Sequence, residues 1–215
     1  MKLTNLMTIA AIAVATSLSA SAKDKVNNAK ADSGRSVTVY YNNGVVDSSV
    51  GASSRALAAK MFANVGVNLH WQCGSPSKPE ANSIVVEFVD GTPAAFKPGA
   101  MAYALPYEGV HIRVMWDRIQ SRQNSREVLA HVMVHEITHI LQGEARHSAT
   151  GIMKANWSKE DMFAMASKPL SFTDEDVELI FRGMDNREAR AAGASTLALT
   201  TPGALTTTAA VTAAK

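Results

Sequence analysis

Val134-His135-Glu136-Ile137-Thr138-His139-Ile140-Leu141 is the stretch whose reading decides this chain. Two histidines four residues apart fall on one face of an α-helix, one turn from each other. Both imidazoles can then reach a single metal ion. Glu136 stands beside them and is not needed as a ligand. Its carboxylate is free to hold a metal-bound water and take its proton. The residues between and around the motif are uncharged, as a partly buried active-site helix requires. A core helix with two incidental histidines is the bland alternative, and the signals at its ends argue against it. Asn124 with Glu127, or Ser125 alone, can cap a helix start. Gly143 can end the helix in a left-handed turn, which predicts a long helix from about 124 to 142.

Two histidines do not complete a catalytic zinc site. A third protein ligand is usual, with the fourth position left to water. His147 is the first candidate, because a turn at Gly143 lets the chain double back. The eight residues from His139 to His147 are enough for that return. A carboxylate on the following helix, Glu160 or Asp161, is the rival.

Upstream of the motif the pattern is one of strands. Val37 to Tyr41 is β-branched and aromatic. Ser48 or Ser49 can cap a helix with apolar positions at Val50, Leu57, Met61, Phe62 and Val65, and Gly66 can stop it. Val67, Leu69 and Trp71 alternate with polar residues, which predicts a half-buried strand. Ile84 to Val89, Met101 to Leu105 and Val110 to Trp116 read as three more. Downstream, Ser158 with Asp161 and Thr173 with Asp176 suggest capping boxes for two helices. Val177, Ile180, Phe181 and Met184 form the buried stripe of the second. The order is α+β: a mixed sheet, a long active-site helix and a helical C-terminal part.

The two ends read differently. Met1 to Ala22 resembles a secretory signal peptide: Lys2, an apolar run from Leu6 to Leu18, then Ala20-Ser21-Ala22 as a cleavage site. Residues 23–35 are a polar linker and residues 36–185 the folded domain. Residues 186–215 hold 10 Ala and 7 Thr and read as a disordered or weakly helical tail. The expected location is therefore exported, periplasmic or extracellular, with no stable membrane insertion after cleavage. The chain has 21 basic and 19 acidic side chains and a net charge of +2, which argues against nucleic acid or an anionic membrane as the main partner. The positive balance sits in the ends, in Lys2 and in Arg187, Arg190 and Lys215. One Cys among 215 residues excludes an internal disulfide and a Cys-only zinc site.

The motif, together with the residues up to Met153, resembles the metzincin clan of zinc metallopeptidases, and more particularly small exported bacterial zincin-like proteins. The clan pattern is H-E-x-x-H-x-x-G-x-x-H followed by a Met-turn. Here His135-Glu136-Ile137-Thr138-His139 is followed by Gly143, His147-Ser148 and Gly151-Ile152-Met153. The Gly comes one residue late and the third His two residues late. The resemblance implies a zincin-like fold, zinc held by His135, His139 and His147, Glu136 as general base and acid, and Met153 as the Met-turn residue. It also implies a peptide or protein substrate lying extended along an edge strand, for which Met101 to Leu105 is the candidate. Tyr103 and Tyr107 adjoin that strand. Ordinary packing is the commoner role for such tyrosines, and help to the oxyanion is the alternative.

The expected function is hydrolysis of peptide bonds by a zinc-activated water. Two rivals share the site: a zinc amidase acting on cell-wall peptides, and a non-catalytic zinc-bound binding module. His131 lies one turn before His135, and a packed or hydrogen-bonded role is its commoner reading. His70 and His111 fall on polar strand faces and are expected at the surface. Cys73 follows a strand in a Gly-Pro loop. Trp157 is expected to pack the last helix on the core.

Overall fold

Parallel pairing organises this molecule, and it needs crossover connections that bury one face of each strand. The computed structural model describes residues 35–200 apart from 43, 78–82, 95, 97–98 and 106–107, with side chains to residue 193. The expected signal peptide, all but the last residue of the linker, and residues 201–215 lie outside the described residues. Five strands, β1 (Arg35–Tyr41), β2 (Val67–Cys73), β3 (Ser83–Val89), β4 (Ala102–Ala104) and β5 (His111–Met115), form one sheet in the order β2-β1-β3-β5-β4. β1 pairs in parallel with β2 and β3, β3 pairs in parallel with β5, and β4 runs antiparallel to β5. The sheet is therefore mixed, and β4 lies at its edge as expected.

Helix α1 (Ser48–Ala63) crosses from β1 to β2. Its N-cap is Asp47 rather than Ser48 or Ser49: the carboxylate accepts the backbone N–H of Ser49 at 2.9 Å and of Val50 at 3.2 Å. An ionised oxygen suits the positive end of the helix better than a hydroxyl does. Helix α2 (Ser125–Gln142) carries the histidine motif. Two further helices lie downstream, α3 (Lys159–Ala164) and α4 (Asp174–Thr200). Helix α4 continues past Asp185, so the Ala-rich residues 186–200 extend it. Alanine favours helix, and Arg187 anchors this part by donating to the backbone oxygens of Gly109 (2.6 Å) and Ser83 (3.4 Å). No helix among the described residues is long and apolar enough to cross a membrane.

Every residue of α2 from Glu127 to Gln142 is buried. An ordinary surface helix buries one stripe; a helix buried all round is a core element. Here α1, α4, β4 and β5 all pack on it. Ile84 and Ile112 of the sheet, Phe62 of α1, and Leu129, Met133, Ile137, Ile140 and Leu141 of α2 are fully buried in the shared core. Helix α4 approaches closest at Gly183, where an added Cβ would stand 1.9 Å from the Leu141 carbonyl oxygen. Only a glycine lets the two backbones meet there.

Candidate metal centre

The site starts from the end of α2. Gly143 adopts φ 74°, ψ 21°, the left-handed C-cap expected there, and donates its N–H to the His139 carbonyl at 2.9 Å. The chain turns back through Glu144 to Met153. The loop is closed by the Ser148 N–H donating to the Met153 carbonyl at 2.8 Å. That return brings His147 to the two helical histidines. Its ring centroid lies 5.3 Å from that of His135 and 4.9 Å from that of His139. One ligand atom from each of the three residues falls within 4.8 Å of the others. His135 and His139 are buried, and His147 is exposed. Glu160 and Asp161 do not join this cluster. Asp161 closes a capping box at the start of α3 with Ser158 and pairs with Lys154.

Hydrogen bonds orient the two buried rings. His135 Nδ1 lies 2.9 Å from the Ile152 carbonyl and His139 Nδ1 3.1 Å from the Glu144 carbonyl. A carbonyl only accepts, so each Nδ1 carries the proton and each Nε2 presents a lone pair. The two Nε2 atoms stand 3.0 Å apart. Two lone pairs at that separation, with no proton between them, repel unless a cation is shared. Burial points the same way. It lowers the pKa of His135 to about 4, helped by the nearby His139, and that of His139 to about 4; it also lowers that of His147. Neutral imidazole is the form that binds metal. The donor set fits zinc: three imidazole nitrogens that one ion can reach.

Glu136 is 9% exposed and lies next to the cluster along α2. Burial pushes its pKa up to about 8, while a hydrogen bond from the Ala104 backbone N–H acts to lower it. That bond links the carboxylate to the edge strand β4. Tyr103 of the same strand points elsewhere: it stacks on Phe96 at 4.9 Å between centroids and sits opposite Arg113 in β5. Tyr107 lies outside the described residues. Met153 is fully buried in the returning loop.

His131 is packed and hydrogen-bonded, in line with its commoner reading. Its Nδ1 donates to the Glu127 carbonyl at 2.7 Å, and its Nε2 accepts the Leu170 N–H at 3.0 Å. His111 pairs with Glu108, and His70 and Cys73 are exposed. Two residues around the cluster have roles that escaped the sequence reading. Trp157 packs against the core as expected, and it also sets its ring edge-on against His135 at 5.6 Å and against His131 at 6.3 Å. Its Nε1 donates to the same Ile152 carbonyl that orients His135, at 3.2 Å. Asp176, expected as a capping residue, also receives hydrogen bonds from the loop that carries His147. No spacing signal marks either role, because both depend on how loops meet in space.

No protein-family model matches the chain, and no curated protein sequence matches it. Among solved structures it is similar to the crystal structure of archaemetzincin from Methanopyrus kandleri. The TM-score is 0.50 at 11% identity, covering 72% of this chain and 98% of that one. It also matches the structure of myroilysin at a TM-score of 0.32 and 16% identity, covering 67% of this chain and 66% of that one, too loose a likeness to argue from. The first likeness is one of fold: the mixed five-stranded sheet with its helices is zincin-like.

Proposed function

We propose that this chain is a zinc-dependent, metzincin-like peptidase that hydrolyses peptide bonds, with His135, His139 and His147 as metal ligands and Glu136 as general base. The observation that carries the reading is the facing pair of deprotonated Nε2 atoms, with a third imidazole beside them and a buried carboxylate one residue from the first. Bound there, zinc supplies Lewis acidity, which polarises a carbonyl and acidifies a water. The residues of the chain do the rest. The carbonyls of Ile152 and Glu144 keep the two imidazoles in the ligating tautomer. The raised Glu136 pKa would come down beside a bound zinc cation, so that the carboxylate could accept the proton of the attacking water and return it to the leaving amine. Its bond to Ala104 aims the carboxylate at the edge of the sheet. β4 pairs with β5 on one side, and an extended peptide can add to the other by backbone hydrogen bonds.

Glu136→Gln is the direct test. It should keep zinc near wild-type affinity and lower peptide-library cleavage by about 10²–10⁴-fold. Retained zinc with undiminished cleavage would remove the mechanism. Running peptidoglycan beside protein substrates identifies which peptide bonds are cut. We also propose that the chain is exported, on the strength of the Lys2, Leu6–Leu18 and Ala20-Ser21-Ala22 pattern.

A further inference from the structure

Two arms of the candidate metal centre meet at one buried aspartate, one on its carboxylate and one on its backbone carbonyl. Asp176, in the first turn of α4, is fully buried. Its Oδ1 accepts the Ser148 hydroxyl and, at 3.0 Å, Arg146 Nη1. The same Nη1 donates to the Ser148 oxygen at 3.3 Å, which closes a triangle. Arg146 and Ser148 are the two neighbours of His147. The backbone carbonyl of Asp176 accepts Nε2 of Gln142 at 3.2 Å. Gln142 is the last residue of α2, the helix that carries His135 and His139. His147 itself is exposed, so its place in the cluster depends on the backbone that carries it.

We propose that Asp176 is a positioning residue for the metal centre: its carboxylate clamps the Arg146–Ser148 segment so that His147 stands opposite His135 and His139 before a metal ion arrives. The inference rests on the zinc reading of the cluster. A plain helix cap accounts for part of the geometry only. Oδ2 accepts the Thr173 N–H at 2.9 Å, and the Asp176 N–H donates to Thr173 Oγ1 at 3.2 Å. Those bonds complete the capping box. Oδ1 is left for the loop, and both of its partners flank the third imidazole. Burial alone would raise the Asp176 pKa. The bonds from Ser148, Thr173 and Arg146 outweigh it and hold the carboxyl below its ordinary range, so the clamp is ionised.

The test uses the full chain, stripped with a chelator and titrated with zinc against a chromophoric competitor. Asp176→Asn should weaken zinc binding by about 10–100-fold, and Ser148→Ala should shift it in the same direction. Both should alter the visible absorption of the cobalt(II)-loaded protein. Thr173→Ala removes the cap without touching Oδ1. It should lower the stability of the stripped protein yet leave zinc affinity within about twofold and the cobalt spectrum unchanged. Equal losses of affinity in Asp176→Asn and Thr173→Ala would reduce Asp176 to a helix cap and overturn the proposal. If Asp176→Asn does not fold, Ser148→Ala decides, and wild-type affinity and spectrum there overturn it. His147→Ala separates the two levels of argument. Unchanged zinc affinity in His147→Ala removes His147 from the ligand set, and with it the three-histidine reading on which the clamp rests. Weakened affinity there, with wild-type binding in Asp176→Asn, sinks only the clamp.

Discussion

His131 sits one turn before His135 and answers to different chemistry. With a proton on Nδ1 for Glu127 and a lone pair on Nε2 for Leu170, it is locked in its neutral form. Burial is the main cause of its lowered pKa, opposed by the Glu127 carbonyl and, more weakly, by the Glu127 carboxylate. That direction fixes the sign of the pH dependence. Above about pH 6.5 both the folded and the unfolded chain hold this imidazole neutral, and it contributes no slope. As the pH falls below that, the unfolded chain takes up a proton that the folded one resists, so stability falls. His131→Phe should cost about 1–3 kcal/mol at pH 7 through the unpaired Leu170 N–H. It should also flatten the loss of stability on going to pH 5. Urea unfolding of the stripped wild type and variant at both pH values measures this, and parallel losses would refute it. At this scale the sequence was most legible where the chemistry is local. His135, Glu136 and His139 sit within five residues, and helical periodicity alone puts the two imidazoles side by side. His147 needed the left-handed turn at Gly143, which glycine signals. The roles of Trp157 and Asp176 arise from contacts between loops and carry no periodic mark.

Among the elements, α2 and α4 meet backbone to backbone at a glycine. Gly183 of α4 lies against the carbonyl of Leu141, the last residue but one of the helix that carries His135 and His139. Gly183→Ala should push the helices apart and cost about 3 kcal/mol, the upper range for overpacking, since a backbone atom cannot turn aside as a side chain can. Thermal unfolding would show it, and a wild-type melting temperature would mean the helices give way without cost. The elements themselves were legible wherever one face of each is buried. Alternation marked β2 and β5, reciprocal capping pairs marked the starts of α3 and α4, and glycine marked the end of α2. The boundaries misread were those decided by competition. Asp47 prevails over the serines after it as the cap of α1. The tail after Asp185 read by composition as disordered or weakly helical; the helix continues to Thr200, and Arg187 reaches Gly109 and Ser83 and ties it to the sheet.

For the whole molecule, one closed unit begins at Arg35. The export proposal makes a definite prediction about the residues before it. Protein recovered from outside the cytoplasm should begin at Lys23, as N-terminal sequencing or intact mass would read. An intact Met1 on exported protein would mean an uncleaved anchor instead. The mixed sheet also has two unlike edges. β2 offers a parallel strand ending at an exposed Cys73, whereas β4 is three residues long and adjoins Glu136. On the proposed peptidase reading, the short edge beside the carboxylate is the one an extended substrate would use, and its shortness limits idle pairing with other chains.

The clamp at Asp176 also sets an order in time. The bonds that close the histidine loop reach forward 28 residues from Ser148 and 30 from Arg146. A chain still being made therefore has the local bond from Ser148 to Met153 before it has the side-chain bonds to Asp176 that flank His147. If the proposed clamp and zinc site hold, the finished pocket forms only after α4 has emerged, and the compartment in which the chain completes its folding would be the one whose metals it meets.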